Sequence, residues 1–254
     1  MTSSKATVLV TGAGRRIGKA IALDLAARGY QLAIHANSSG AEAEAVAGFI
    51  RDAGGVAEVF LADLSDGKAV RDLHSKVTKS LGAPDIIVNN ASIFQADDVR
   101  DFDDELFDKH FAIHVKAPAI LAEAMAKKLP EDRDGLIVNI IDQRVWKLTP
   151  RFFSYTLSKS ALWTATQTMA QALAPRIRVN AIGPGPTLAN EKQNKDDFER
   201  QSAAVPLAHG PELAEFGATI RYLHEARSVT GQMIALDGGQ HLAWETPDVT
   251  GAGE

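Results

Sequence analysis

From end to end the chain alternates between short β-branched apolar runs and longer alanine-rich stretches with helical spacing. Thr7–Thr11, Gln31–Ala36, Ala57–Leu61, Ile86–Asn89, Leu136–Ile141, Ile177–Ala181 and Met233–Ala235 read as strands. Segments 17–28, 41–53, 67–80, 104–129, 153–173 and 212–225 place apolar residues three and four apart and read as helices. Strands that are apolar without interruption belong to a parallel sheet covered on both faces. The pattern therefore predicts one α/β domain over residues 1–242, a doubly wound parallel seven-stranded sheet with ligands beyond the carboxyl ends of its strands. Two segments fall outside the alternation. Residues 183–210, rich in Pro, Gly and polar side chains, are expected to form a substrate lid, and 243–254 a loose tail.

Composition narrows the partners. At 254 residues, 45% hydrophobic, the chain suffices for one substantial core. A net charge of -5 gives no basic footprint for nucleic acid or an anionic membrane. The absence of cysteine excludes disulfides and thiolate chemistry. No apolar window is long enough for a membrane span, and the start, M-T-S-S-K-A-T-V-L-V-T-G, has no apolar leader. A cytoplasmic protein acting on a small molecule is expected.

The first strand runs into T-G-A-G-R-R-I-G, with Gly12, Gly14 and Gly18 ahead of a helix. Glycines there let backbone amides approach a diphosphate, and the helix N-terminus adds positive potential. A dinucleotide site is the reading; a tight turn is the alternative. An acidic residue closing the second strand would select NAD through a ribose hydroxyl. Here Asn37, Ser38 and Ser39 stand instead, with Arg15 and Arg16 in the glycine loop, a set that suits a 2′-phosphate and so NADPH. Otherwise the arginines are merely solvated. Asp63, in A-D-L after the third strand, is placed either to meet the adenine or to cap a helix.

Tyr155 and Lys159 are four apart on a helix, hence on one face, where an ammonium would favour a phenolate. Asp142 lies thirteen residues ahead of the tyrosine. A fixed negative charge there would raise the phenol's pKa, which suits a tyrosine that donates a proton in a reduction better than one that removes it from an alcohol.

T-G-x-x-x-x-x-G after strand one, N-N-A at 89–91, Tyr155-x-x-x-Lys159 and P-G at 184–185, in that order, resemble the short-chain dehydrogenase/reductase family over about residues 5–242. The resemblance implies a Rossmann domain, usually a homotetramer, with Tyr155 as acid/base and Lys159 on the cofactor ribose. It lays Gly12, Gly14, Arg15, Arg16, Ile17 and Gly18 at the phosphates and Asp63 and Leu64 toward the adenine. Asn89, Ala91 and Ser92 fall along the cofactor, with Pro184, Gly185 and Thr187 at the nicotinamide. Three positions depart from the common pattern: Asp142 for serine, Ser92 for glycine after N-N-A, and His114 for the asparagine of the central helix. The first two, with Phe94 two residues after Ser92, resemble pteridine reductases. The histidine and H-x-N-S-S resemble the dihydromonapterin reductases of the same group. That likeness implies a pterin-like substrate against Arg16, Ser92, Phe94, Asp142 and Tyr155.

Plainer readings stand beside these. Phe94, Trp146 and Phe152 line a pocket or simply fill the core. His110 and His114 have a metal-ligand spacing but no third ligand, so no metal is expected; His114 is a structural histidine or a relay toward Lys159. The acidic run from Asp97 to Glu105 is expected to complement a helix dipole. The functional expectation is an NADPH-dependent reductase of a dihydropterin-like ring. A carbonyl reductase of the 3-oxoacyl type is the rival enzyme, and a non-catalytic NADPH-binding regulator the rival of another class.

Overall fold

A computed structural model of the chain describes residues 6–189 and 194–244. Seven strands form one sheet: β1 (Thr7–Val10), β2 (Gln31–Ala36), β3 (Val56–Leu61), β4 (Ile86–Asn89), β5 (Gly135–Ile140), β6 (Ile177–Pro184) and β7 (Met233–Leu236). Their order is β3-β2-β1-β4-β5-β6-β7, and every pairing is parallel. The order reverses between β1 and β4, where a doubly wound sheet opens a crevice at its carboxyl edge.

Side chains alternate even along the all-apolar strands. Val8 and Val10 of β1 face a core shared with α1 (Arg16–Ala27), α2 (Gly40–Asp52) and α8 (Leu213–Glu225). Leu9, between them, faces α3 (Gly67–Leu81), α5 (Ala117–Lys128) and α6 (Phe153–Leu173). That is the two-face burial that the uninterrupted strands required.

One predicted helix is corrected, and one helix falls where none was predicted. The single helix expected over 104–129 is α4 (Asp104–Phe111), a π-helical turn (Ala112–Lys116) and α5. Pro118 sits in the first turn of α5 and has no N–H for the carbonyl four residues back, that of His114, so the wider turn falls where the ladder loses a bond. The expected lid, 183–210, begins inside β6 and carries a helix, α7 (Lys195–Ala203), capped by Asn194 accepting from the Asp197 N–H at 2.7 Å. None of its side chains is buried, so it lacks the apolar stripe by which a helix is recognised in sequence. The expected tail falls, from residue 245 on, outside the described residues.

The acidic run divides its work. Asp103 caps α4, accepting from the Leu106 N–H at 3.0 Å. Asp97 instead reaches α6, where both carboxylate oxygens accept from the Ser154 N–H at 3.1 Å. Phe152, just ahead, is left-handed at φ 60. A non-glycine residue held there costs on the order of 1–3 kcal/mol. The cap, about 0.5–2 kcal/mol, and ring stacking, about 0.5–1.5 kcal/mol, offset it. The chain thus enters α6 in a strained turn that brings Tyr155 to the crevice.

Candidate active site

A cleft of about 1260 Å³ runs along the carboxyl edge of the sheet, from the glycine loop to Tyr155. At one end lie Gly12, Arg15, Arg16, Ile17 and Gly18, with Asn37, Ser38 and Ser39 beyond β2 and Asp63 and Leu64 beyond β3. At the other lie Ala91, Ser92, Phe94, Asp142, Tyr155 and Lys159, with Pro184 at the end of β6 and Gly185 and Thr187 beyond it. One continuous site therefore gathers nearly every residue singled out in the sequence. Asn89 and His114 line a small space behind it, against Lys159. Gly14 faces away: a Cβ there would stand 3.1 Å from the Ala43 backbone nitrogen, so this glycine lets the loop lie against α2.

The phosphate end is a backbone cradle. A Cβ on Gly18 would come within 2.3 Å of the Gly12 carbonyl, and Gly12 itself has φ +64. His35 anchors the cradle; in the sequence it figured only as the first residue of H-x-N-S-S, without a role of its own. The Gly12 N–H donates to its Nδ1 at 3.1 Å, which makes Nδ1 a bare acceptor and puts the ring proton on Nε2, facing the Ala62 carbonyl at 3.0 Å. Burial lowers its pKa and keeps it neutral. A histidine inside an otherwise apolar strand was the available signal, because a buried polar group needs a partner. Asp63 does not cap α3. It accepts from the Ser65 N–H and hydroxyl at 2.9 and 2.7 Å, and Asp66 is the cap. Arg15 pairs with Glu42 at 2.9 Å, whereas Arg16 donates to the Ala189 and Leu188 carbonyls at 2.8 and 3.1 Å. Arg16 thus ties the glycine loop to the segment after β6.

At the chemical end the Tyr155 hydroxyl donates to Asp142 Oδ2 at 3.0 Å, and Asp142 Oδ1 accepts from the Arg144 N–H at 2.9 Å. Both of its side-chain oxygens accept. Burial, then the Asp142 charge, push the Tyr155 phenol well above its ordinary value, against a smaller downward pull from Arg144. Lys159, buried, donates to the Ile140 carbonyl at 2.8 Å with Nζ 5.7 Å from the Tyr155 ring centre. Desolvation brings its pKa down to about 8, opposed by Asp142.

His114 sits in the π turn and joins three elements. Its Nε2 accepts from the Ile93 N–H at 3.3 Å and lies 2.9 Å from the Ser92 hydroxyl. Because Nε2 accepts, the proton is on Nδ1, donated to the Ser158 hydroxyl at 2.8 Å, which donates in turn to the Tyr155 carbonyl at 2.8 Å. Burial first, then Lys159 and His110, lower its pKa well below the ordinary value. Both nitrogens are spent on Ser92, Ile93 and Ser158 rather than on Lys159; of the two readings, structural histidine or relay, these bonds are those of a structural brace. Among the described residues no group of three or more His, Cys, Asp or Glu is arranged to hold a metal.

Phe94 and Phe152 stack at 4.2 Å, and Phe94 meets the Tyr155 ring edge-on at 4.9 Å. Both line the cleft, but Trp146 does not. It packs against His241 and Trp163 with ring centres 5.0 and 6.2 Å away. Arg144, missed in the sequence, lies 4.0 Å from Asp142 Oδ2 and 5.1 Å from the centres of both phenylalanine rings.

The family model described as short chain dehydrogenase matches residues 6–200. A crystal structure of FolM alternative dihydrofolate reductase 1 from Brucella canis, complexed with NADP, is 62% identical, covering 97% of this chain and 98% of that one, with a TM-score of 0.94. The Brucella suis protein of the same description, also with NADP, is 63% identical over 96% of this chain and 98% of its own, with a TM-score of 0.94. A 3-oxoacyl-[acyl-carrier-protein] reductase, FabG, from Staphylococcus epidermidis is 29% identical over 93% of this chain and 99% of its own.

The raised phenol makes a measurable prediction. An ultraviolet difference titration of wild type against Tyr155→Phe, without cofactor, should show no phenolate from Tyr155 up to about pH 10. A phenolate step between about pH 7 and 8 would contradict this assignment.

Proposed function

Because the chain belongs to the short-chain dehydrogenase family and is an NADP-dependent oxidoreductase, we propose that it reduces a C=N bond of a dihydropterin-like ring. One observation carries the substrate reading: the proton-donating tyrosine bonds to a carboxylate where the family usually has a serine. Likeness at 62% identity to a FolM alternative dihydrofolate reductase supports it.

The residues present fit the dinucleotide. Gly12 and Gly18, where a Cβ would strike the chain's own atoms, let the loop turn tightly at one end of the cleft, and neutral Asn37, Ser38 and Ser39 with Arg15 line that end and would hold a 2′-phosphate. Lys159 supplies a cation for the ribose, and Pro184, Gly185 and Thr187 shape the nicotinamide end. When bound, the reduced nicotinamide supplies hydride to the ring carbon. Tyr155 gives its hydroxyl proton to the ring nitrogen, so the C=N bond becomes CH–NH and a phenolate remains. Its high proton affinity, set by burial and Asp142, draws a proton back along the Asp142 side of the cleft. Ser92 and Phe94 border the substrate space, and His114 braces Ser92 against the helix that carries Tyr155. Arg16 holds the segment after β6, which acts as part of the lid over 183–210.

A turnover panel tests this reading. With NADPH, a dihydropterin should be reduced at least about tenfold more efficiently than an acetoacetyl thioester, and NADH should serve about tenfold less well, near 1.4 kcal/mol. Preference for the thioester would support the 3-oxoacyl reading instead. No turnover of any compound, with NADPH still bound, would support a non-catalytic binder.

The assembly we propose is a cytoplasmic homotetramer. Phe102 and Leu157 leave apolar surface exposed beside α4 and on α6, of the kind that pairs helices between subunits. Light scattering at micromolar concentration should give four times the 27.2 kDa chain mass. A monomer would end that reading.

A further inference from the structure

Arg144 is a mostly buried cation with its donors unspent. Its side chain is 22% exposed and lines the cleft. Only its backbone N–H forms a hydrogen bond among the described residues; the guanidinium has the 4.0 Å approach to Asp142, beyond hydrogen-bond reach. Its Cζ also lies over the Phe94 and Phe152 rings, 5.1 Å from each centre, contacts that hold the charge but use none of its N–H donors. The adjoining residue repeats the pattern. Gln143 is 5% exposed, lines the same cleft, and its Oε1 has no partner among the described residues. A protein seldom buries a charged fork and an amide oxygen without hydrogen-bond partners unless a ligand supplies them.

Position tells which part of the ligand. Asp142 Oδ2 is 3.0 Å from the Tyr155 hydroxyl and 4.0 Å from Arg144, so the guanidinium stands one group away from the proton donor. We propose that Arg144 is a specificity residue that binds an acceptor oxygen on the substituent next to the reduced bond. The substrate class is then a dihydropterin with an oxygen-bearing side chain, hydroxyl or carboxylate, rather than the bare ring. This rests on the pterin reading and deepens it.

Three dihydropterins separate the possibilities: one with a hydroxylated alkyl side chain, one with a benzoylglutamate side chain, and one with only a methyl group. In Arg144→Met the KM for an oxygen-bearing substrate should rise about tenfold to a hundredfold with kcat nearly kept, while the methyl compound changes less than about twofold. Arg144→Lys should recover part of the loss. The dissociation constant of the corresponding oxidised pterin, titrated by fluorescence in the presence of NADP, should rise in parallel. An effect confined to the hydroxylated arm assigns hydroxyls, and one confined to the benzoylglutamate arm assigns carboxylates; either supports the proposal. An equal fall for all three would mean that Arg144 acts only through Asp142 and Tyr155, and would overturn it, as would no change in any. Thermal unfolding serves as the folding control, and Arg144→Gln replaces the methionine variant if that fails to fold. If wild type reduces the thioester but none of the three pterins, the substrate reading fails and this proposal with it. If it reduces the methyl compound as efficiently as the others, the pterin reading stands and the Arg144 proposal fails.

Discussion

A lysine ammonium held out of water beside a phenol is the constraint around which this fold is arranged. Lys159 is buried, and a buried charge without compensation is costly enough that the group tends to neutralise. Here burial brings its pKa down to about 8, opposed by the Asp142 charge, and the Ile140 carbonyl accepts its hydrogen bond at 2.8 Å. Both partners come from the end of β5 and the turn beyond it, while the lysine comes from α6. The charge can be kept only while sheet and helix stay in register. Asn89, Asn139 and Thr166 fix that register from within, through bonds of 2.8 Å from β4 to β5 and from β5 to α6.

Two buried histidines extend the same logic to the backbone. His35 ties the glycine loop to the end of β3, and His114 ties the loop after β4 to α6. Each accepts a backbone N–H on one nitrogen and donates from the other, an arrangement only the neutral ring can make. Protonation of either would set a donor against a donor. They act as two-ended struts whose tautomers are dictated by their neighbours. The π turn around His114, placed where Pro118 removes a ladder bond, lets the ring reach both Ser92 and Ser158.

Much of this was legible in the chain. Strands that are apolar on both faces announce a parallel sheet, and Gly12, Gly18, Tyr155 and Lys159 are spaced so that the βαβ alternation carries them to one edge. Three things were hidden. Helix α7 has no buried face and so no periodic signal. The break at the π turn lies within an unbroken helical pattern, where a proline is as compatible with a kink as with a new first turn. Arg144 gave no sign of its role because its neighbours, Phe94 and Phe152, are fifty and eight residues away in sequence. A side chain's lack of hydrogen-bond partners exists only in three dimensions.

The central claim is that Asp142, by holding the Tyr155 hydroxyl, commits the site to reducing a ring C=N bond. Its most direct test is Asp142→Ser, which installs the residue usual in the family, with kcat/KM measured for a dihydropterin and for a simple ketone at saturating NADPH. The account predicts unchanged NADPH affinity, a fall of about a hundredfold or more with the pterin, the scale of losing a positioned proton path, and ketone reduction that survives or improves. Pterin turnover left intact in the serine variant would contradict it, and Asp142 would then be a tolerated substitution.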